Sequence, residues 1–266
     1  MELLPIEIIR INQKKITEID NIIKSIYRLI IYSRHHLDDD LLDIYLTGMH
    51  NLKELVGIKN AQMEAQNEVE AQEYLQNLKI SLDFVVEEII SQNNFEKEIQ
   101  LFQLLRIVSP ETNTIHPNKY RQTLVQIGAH ICPEPTLVTQ LVHELFYKIQ
   151  SISNPIIKAI YFHHELIRIH PFVDGNGRVT RIAKNWMLMY DLYPPIFIND
   201  APQKKEYITT LSNSFKQLMN HPKEWNKYTE QFFEQELDHL LVNAQLLYES
   251  INLIGINREN KITIQK

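Results

Sequence analysis

Between two apolar-periodic segments the chain reads His170-Pro-Phe-Val-Asp-Gly-Asn-Gly-Arg-Val-Thr-Arg181, and two of its six glycines fall within three residues there. Gly175 and Gly177 bracket Asn176, a composition that lets the backbone turn tightly and aim several N–H groups at one point. The helix that follows begins at this turn, so the positive end of its dipole adds to the same spot and favours an anion. Arg178 and Arg181 lie three apart on its first turns and share a face. Two guanidinium forks beside such a turn favour a polyphosphate over a single carboxylate. Asp174 precedes the turn, and a lone carboxylate facing phosphates suits Mg²⁺, which takes one or two carboxylates together with phosphate oxygens and water. His170 ends the preceding helix, with an ordinary pKa of about 6.5 and therefore a large neutral fraction able to accept a proton. Singly, a His at a helix end is more often a cap, and two arginines on one helix more often a solvated face. As a set at this spacing they describe phosphoryl or nucleotidyl transfer to a hydroxyl.

The segments that must position this loop read as helices. Ile19, Ile22, Ile23, Ile26, Leu29 and Ile30 recur at three-to-four spacing within 16–60, the pattern of helices burying one face. A polar stretch over 60–77 without glycine or proline reads as helix. So does 82–108, broken at 91–94, before a loop over 110–119 that holds two prolines. The β-branched run 123–131, interrupted by Gly128, predicts a short hairpin. Helical patterning resumes over 137–150 and over 155–169, with Pro155 suited to a first turn. It returns from 177 to 191, from 204 to 219 and from about 224 to 253. With 266 residues, 44% of them hydrophobic, the chain can bury a sizeable core. A net charge of −6 without a basic block argues against a nucleic-acid binder. The single cysteine, Cys132, excludes an internal disulfide and a multi-cysteine metal site. No apolar run reaches the roughly 18 residues of a membrane span, and Glu2 and Glu7 do not suit a signal peptide, so the expectation is a soluble, cytoplasmic protein without a membrane partner.

At every specified position His170–Arg181 matches HxFx(D/E)GNGRxxR, and the chain thereby resembles the Fic-domain family. Lys119-Tyr120-Arg121, Val125-Gln126-Ile127-Gly128 and Pro133-Glu134-Pro135 resemble that family's flap and the approach to its next helix. The resemblance implies a mainly α fold: a Fic-type helical bundle with a small β-hairpin flap and extra N- and C-terminal helices. The division it suggests is an N-terminal helical region over 1–100 with an inhibitory helix near 60–66, a Fic core over 101–220 and a C-terminal extension over 221–266. It implies transfer of AMP from ATP to a Ser, Thr or Tyr hydroxyl of a target protein, with Mg²⁺ as cofactor, pyrophosphate as product and a homo-oligomer allowed. In that scheme His170 activates the hydroxyl and Asp174 holds Mg²⁺. Gly175, Asn176 and Gly177 cradle phosphates, Arg178 engages the β-phosphate region, Arg181 reaches the γ-phosphate, and Phe172 points into the core to fix the loop. The flap residues Val125, Gln126, Ile127 and Gly128 would hold the target backbone by strand addition, although an ordinary edge hairpin fits the same residues.

Many members carry an inhibitory (S/T)xxxE(G/N) helix whose glutamate pairs with the second motif arginine. No strict copy is present. Asn60-Ala61-Gln62-Met63-Glu64-Ala65 is the favoured relaxed copy, since it leads into Glu68-Val69, while Glu259-Asn260 offers the pair at the other end. Glu64 also fits a plain solvated helix face. On the same residues, removal of AMP from a target, transfer of UMP or another phosphate-linked group, and a nucleotide-binding scaffold without catalysis remain alternatives. An intact His170 weighs against the scaffold. Lys at the position of Gly177 marks the family's kinase branch, so GNGR favours adenylylation. His163-His164-Glu165 lacks the i, i+4 histidine pair of a zincin helix, and His163 is expected to pack on the helix's inner face.

Overall fold

A computed structural model describes residues 1–37, 68–198 and 201–264. Among these, helices α1 (Gln13–Leu37), α2 (Glu68–Ile90), α3 (Ile99–Val108), α4 (Pro110–Ile115), α5 (Pro135–Ile149), α6 (Pro155–Ile169), α7 (Asn176–Tyr190), α8 (Ala201–Asn220) and α9 (Lys227–Ile264) surround one small hairpin. The mainly helical bundle with a minor β element follows the reading of the sequence. No helix among the described residues is long and apolar enough to cross a membrane.

The centre of the bundle is α6. Every side chain over 159–169 is buried, as expected for a helix whose apolar residues run all the way round. Its ends are set locally. Asn154 caps the start by accepting the Ile157 N–H at 3.0 Å with Pro155 in the first turn, and His170 closes the end in the left-handed region at φ 53°. The packing partners of α6 are α5 and α7, and α7 is also held by α2 and α3. Around them Phe95, Phe146, Phe162 and Trp186 form an edge-on aromatic cluster with centroids 5.3–5.7 Å apart. The first and last helices pack on each other, and Lys15 bridges them through Glu234 and Asp238 at 2.8 and 2.6 Å.

The core also carries charge. Glu165 on α6 accepts from Arg168, from His164 at 2.7 Å and from the Leu4 N–H at 3.0 Å, which fastens the N-terminal segment to the central helix. Burial alone would raise the Glu165 carboxyl, but Arg168 and His164 outweigh it and hold it low. In a second cluster Lys184 of α7 meets Glu236 of α9 at 2.6 Å, and His163 lies 3.5 Å from that carboxylate while its other nitrogen bonds the Tyr207 hydroxyl at 2.9 Å. His163 does lie on the inner face, fully buried and stacked on Tyr207.

Two local expectations change. The prolines of 110–119 do not keep the whole stretch irregular, because Pro110 stands in the first turn of α4, where a missing N–H costs nothing. The hairpin shrinks to Gln126–Ile127 against His130–Ile131, antiparallel, with Gly128 at φ +56°.

Candidate active site

The loop between α6 and α7 is closed by its own residues. Asn176 accepts the Phe172 N–H on Oδ1 and donates from Nδ2 to the Phe172 carbonyl, both at 2.8 Å. That two-point clip occupies the side chain, so what Asn176 can offer an anion is its main-chain N–H at the start of α7. Phe172 is buried against Phe102 and Tyr120, with centroids 5.8 and 5.7 Å away. The two glycines differ. Gly175 stands at φ +80°, and a Cβ there would meet the Ser109 Cβ at 2.8 Å. Gly177 has ordinary helical φ, and its open side faces only the end of Arg181, with Nη1 3.1 Å from an added Cβ.

Arg178 is gripped on several sides. Nη1 donates to the Val108 carbonyl at 2.7 Å and Nη2 to Asp174 Oδ2 at 2.9 Å, while the Tyr74 ring of α2 covers the guanidinium with its centroid 4.3 Å from Cζ. Asp174 is otherwise open to solvent, its side chain 63% exposed. The carboxylate thus sits where an anion would sit on Arg178, standing in for a phosphate oxygen. Arg178 and Arg181 border a cleft of about 550 Å³, open to solvent, whose far wall is Leu78, Ile182 and Ile196–Ile198. Asn185 fixes that wall by accepting the Ile196 N–H at 2.9 Å and donating back to its carbonyl at 3.2 Å.

His170 sits at the mouth of the loop. Burial pushes its imidazole down to about 4, with the nearby Arg121 charge and His130 acting in the same direction and Asp174 against them. The ring is therefore neutral at neutral pH, and its buried Nδ1 has no hydrogen-bond partner among the described residues. Its backbone is fixed by Arg121, whose guanidinium is 1% exposed and bonds main-chain carbonyls only. Nε donates to His170 O at 2.7 Å, Nη1 to Thr123 O at 2.8 Å, and Nη2 to Pro133 O at 2.7 Å and Ile169 O at 3.3 Å. The Arg121 N–H adds Pro171 O at 2.8 Å. One side chain thus ties both ends of the hairpin to the histidine loop. His130 adds a second tie, bonding Arg168 O at 2.9 Å and packing on Phe215.

His170, Asp174, Gly175, Asn176, Gly177, Arg178 and Arg181 therefore share one loop and helix start. The hairpin residues Gln126 and Ile127 form β1, and Gly128 turns over Ser212 of α8. Val125 accepts the Cys132 N–H at 3.1 Å, just outside the two-residue ladder. Glu64 lies outside the described residues, and Glu259 lies within α9. Sequence reasoning gave no role to Arg121, Tyr74 or the 196–198 wall. Only Arg121 left a trace, as part of the Lys119-Tyr120-Arg121 resemblance.

Residues 97–188 match the Fic/DOC family model. This segment is a Fic/DOC family domain. The chain is 29% identical over 134 residues to the protein adenylyltransferase Fic of Culex quinquefasciatus, an alignment covering 49% of this chain and 27% of that protein. It spans about a quarter of the length of the curated relatives it matches. Among solved structures, Fic-1 from C. elegans superposes with a TM-score of 0.65 at 17% identity, covering 88% of this chain and 73% of that one. A Fic domain containing signaling protein from Bacteroides thetaiotaomicron gives 0.64 at 18%, covering 87% and 97%. These likenesses extend the shared fold well beyond the matched Fic domain.

No group of three or more His, Cys, Asp or Glu side chains among the described residues could hold a metal unaided. A single open carboxylate, Asp174, beside two arginines and a helix start fits Mg²⁺ carried in on phosphate oxygens, because that ion needs few protein ligands.

Proposed function

We propose that this chain transfers AMP from ATP to a hydroxyl side chain of a target protein. The observation that carries the reading is a neutral imidazole with an unpartnered buried nitrogen, held on the same loop as a glycine-bracketed helix start and two arginines.

In this reading the triphosphate enters over the first turn of α7. Its oxygens take the place of the Asp174 carboxylate on Arg178, which frees Asp174 to hold Mg²⁺. The ion, when bound, neutralises charge on the α- and β-phosphates. Arg178 keeps its bond to the Val108 carbonyl while its Nη2 edge turns to the β-phosphate, and Arg181 meets the γ-phosphate from the next turn. The main-chain N–H groups of Asn176 and Gly177 face the phosphates with no reorganisation, because Asn176 has already locked the loop. The target hydroxyl approaches between the hairpin and His170. Its oxygen attacks the α-phosphorus while its proton passes to the imidazole, the bond to the β-bridging oxygen breaks in line, and pyrophosphate leaves. The triphosphate's negative charge raises the imidazole from its ligand-free value, toward the range in which a base works best. The hairpin, tied to the His170 backbone through Arg121, holds the target main chain at a fixed distance from the base. Glu64 restrains the enzyme by competing for Arg181.

The test is incubation of the parent, Glu64→Gly and His170→Ala with α-labelled ATP, Mg²⁺ and a cell lysate. Label on protein in the Glu64→Gly reaction, less in the parent and none with His170→Ala is the expected pattern. No protein-bound label in any of the three overturns the proposal.

A further inference from the structure

Tyr74 lies on α2, outside the segment that matches the family, yet it touches the central arginine of the site. Its hydroxyl donates to Glu70 Oε1 at 2.6 Å, one turn back on the same helix, which fixes the ring's orientation. That bond also pushes the phenol up to about 12, so the ring stays neutral and electron-rich. Asn77 and Leu78, three and four residues on, line the cleft with it, so one face of α2 forms a wall of the arginine cleft.

The geometry of the contact matters. A ring over the face of a guanidinium uses the cation's charge without using its in-plane N–H groups. Arg178 spends one edge on the Val108 carbonyl, and Asp174 holds another only until an anion replaces it. Ring above and carbonyl at the edge leave the side chain little freedom to swing, while the donors aimed at the loop stay available.

We propose that Tyr74 is a positioning residue for nucleotide binding, holding Arg178 with its donor edge turned toward the β-phosphate. The inference rests on the reading of this cleft as the ATP site. It assigns α2 a part in the site that neither the motif nor the family match contains.

Calorimetric titration with Mg²⁺ and α,β-methylene ATP, which cannot be cleaved between the α- and β-phosphates, tests it. Tyr74→Ala is expected to weaken binding about 3- to 10-fold, the range of a partly desolvated cation–π contact. Tyr74→Phe, which keeps the ring, stays within about twofold of the parent. In an Arg178→Ala background Tyr74→Ala adds no further loss, a coupling that general loosening of α2 would not produce. A folded state matching the parent by circular dichroism and melting is confirmed for each variant. Tyr74→Leu, which keeps the apolar wall, replaces the alanine if that variant melts early. Parental affinity in Tyr74→Ala and Tyr74→Leu, tighter binding in either, or losses that simply add to those of Arg178→Ala overturn the role of Tyr74. A parent that binds no nucleotide overturns the ATP site itself, a distinct result.

Discussion

Gly175 and Gly177 look interchangeable in the sequence, and their surroundings predict opposite behaviour on substitution by alanine. At Gly175 the backbone stands at φ +80°, where an L side chain costs about 1–2 kcal/mol. The added Cβ would also lie 2.8 Å from the Ser109 Cβ and 3.2 Å from Leu105 Cδ1. Neither neighbour can retreat cheaply. Ser109 is fully buried at the junction of α3 and α4, its carbonyl bonded to the Asn113 N–H and its hydroxyl to Glu111 and Thr112, and Leu105 is 0% exposed. Overpacking of this kind costs a further 1–3 kcal/mol or so. Gly175→Ala is therefore expected to lose about 2–5 kcal/mol, which for a chain of this size lowers Tm by about 5–15 °C.

At Gly177 the backbone is already helical, and the only atoms near an added Cβ are the guanidinium atoms of Arg181. Alanine there gains up to about 1 kcal/mol of helix propensity and pushes aside the end of a flexible side chain. Its methyl, however, stands where phosphate must approach the first N–H groups of α7. Gly177→Ala should melt at or slightly above the parental temperature while losing affinity for Mg²⁺ with α,β-methylene ATP. Equilibrium urea unfolding, thermal circular dichroism and calorimetric titration of both variants decide the matter. A Gly175→Ala protein as stable as the parent, or a Gly177→Ala protein as damaged as Gly175→Ala, would refute the division of labour.

Arg121→Met keeps volume but strands the four carbonyls that the guanidinium now satisfies. A loss of about 3 kcal/mol or more in urea unfolding is expected, with proteolysis of the intact fold beginning within 122–132; a parental urea midpoint counts against it. Lys184→Met leaves Glu236 charged, buried and short of its main partner and should cost about 3–5 kcal/mol, whereas Lys184→Met with Glu236→Leu recovers much of that loss; urea titration of single and double variants compares them. Burial holds both His163 and His170 down at about 4, so both are neutral in the native state where an unfolded histidine takes a proton below about 6.5. Between those values the unfolded chain binds more protons, so stability falls as pH drops from 6.5 toward 4 and gains nothing from these groups above 6.5. Urea midpoints at pH 7.5, 6.0 and 4.5 test the sign, and a midpoint unchanged across that span contradicts it.

What could be read from the sequence follows from how far apart the interacting residues are along the chain. The turn between α6 and α7 was legible because its parts sit within one loop: glycines flanking Asn176, Arg178 and Arg181 one face apart, a histidine closing the helix before. Helix ends set by neighbours, such as Asn154 and Pro155, were legible for the same reason. Spacing does not say what each residue is for when the answer lies on another helix. Gly175 reads as a phosphate cradle, yet its missing side chain is required first by Ser109 and Leu105 of a distant segment. Asn176 reads the same way, yet its amide is consumed in closing the loop. Arg121 gave only one basic residue before a β-branched run, and its burial among carbonyls exists only once the hairpin and the histidine loop have met. Tyr74 had no signal at all, because an aromatic on a polar helix acquires meaning only when α2 packs across α7. The motif therefore specifies which groups can touch a nucleotide, and the surrounding helices decide how rigidly each is held. The two glycine substitutions separate these contributions: one disturbs the scaffold behind the loop, the other the surface presented to phosphate.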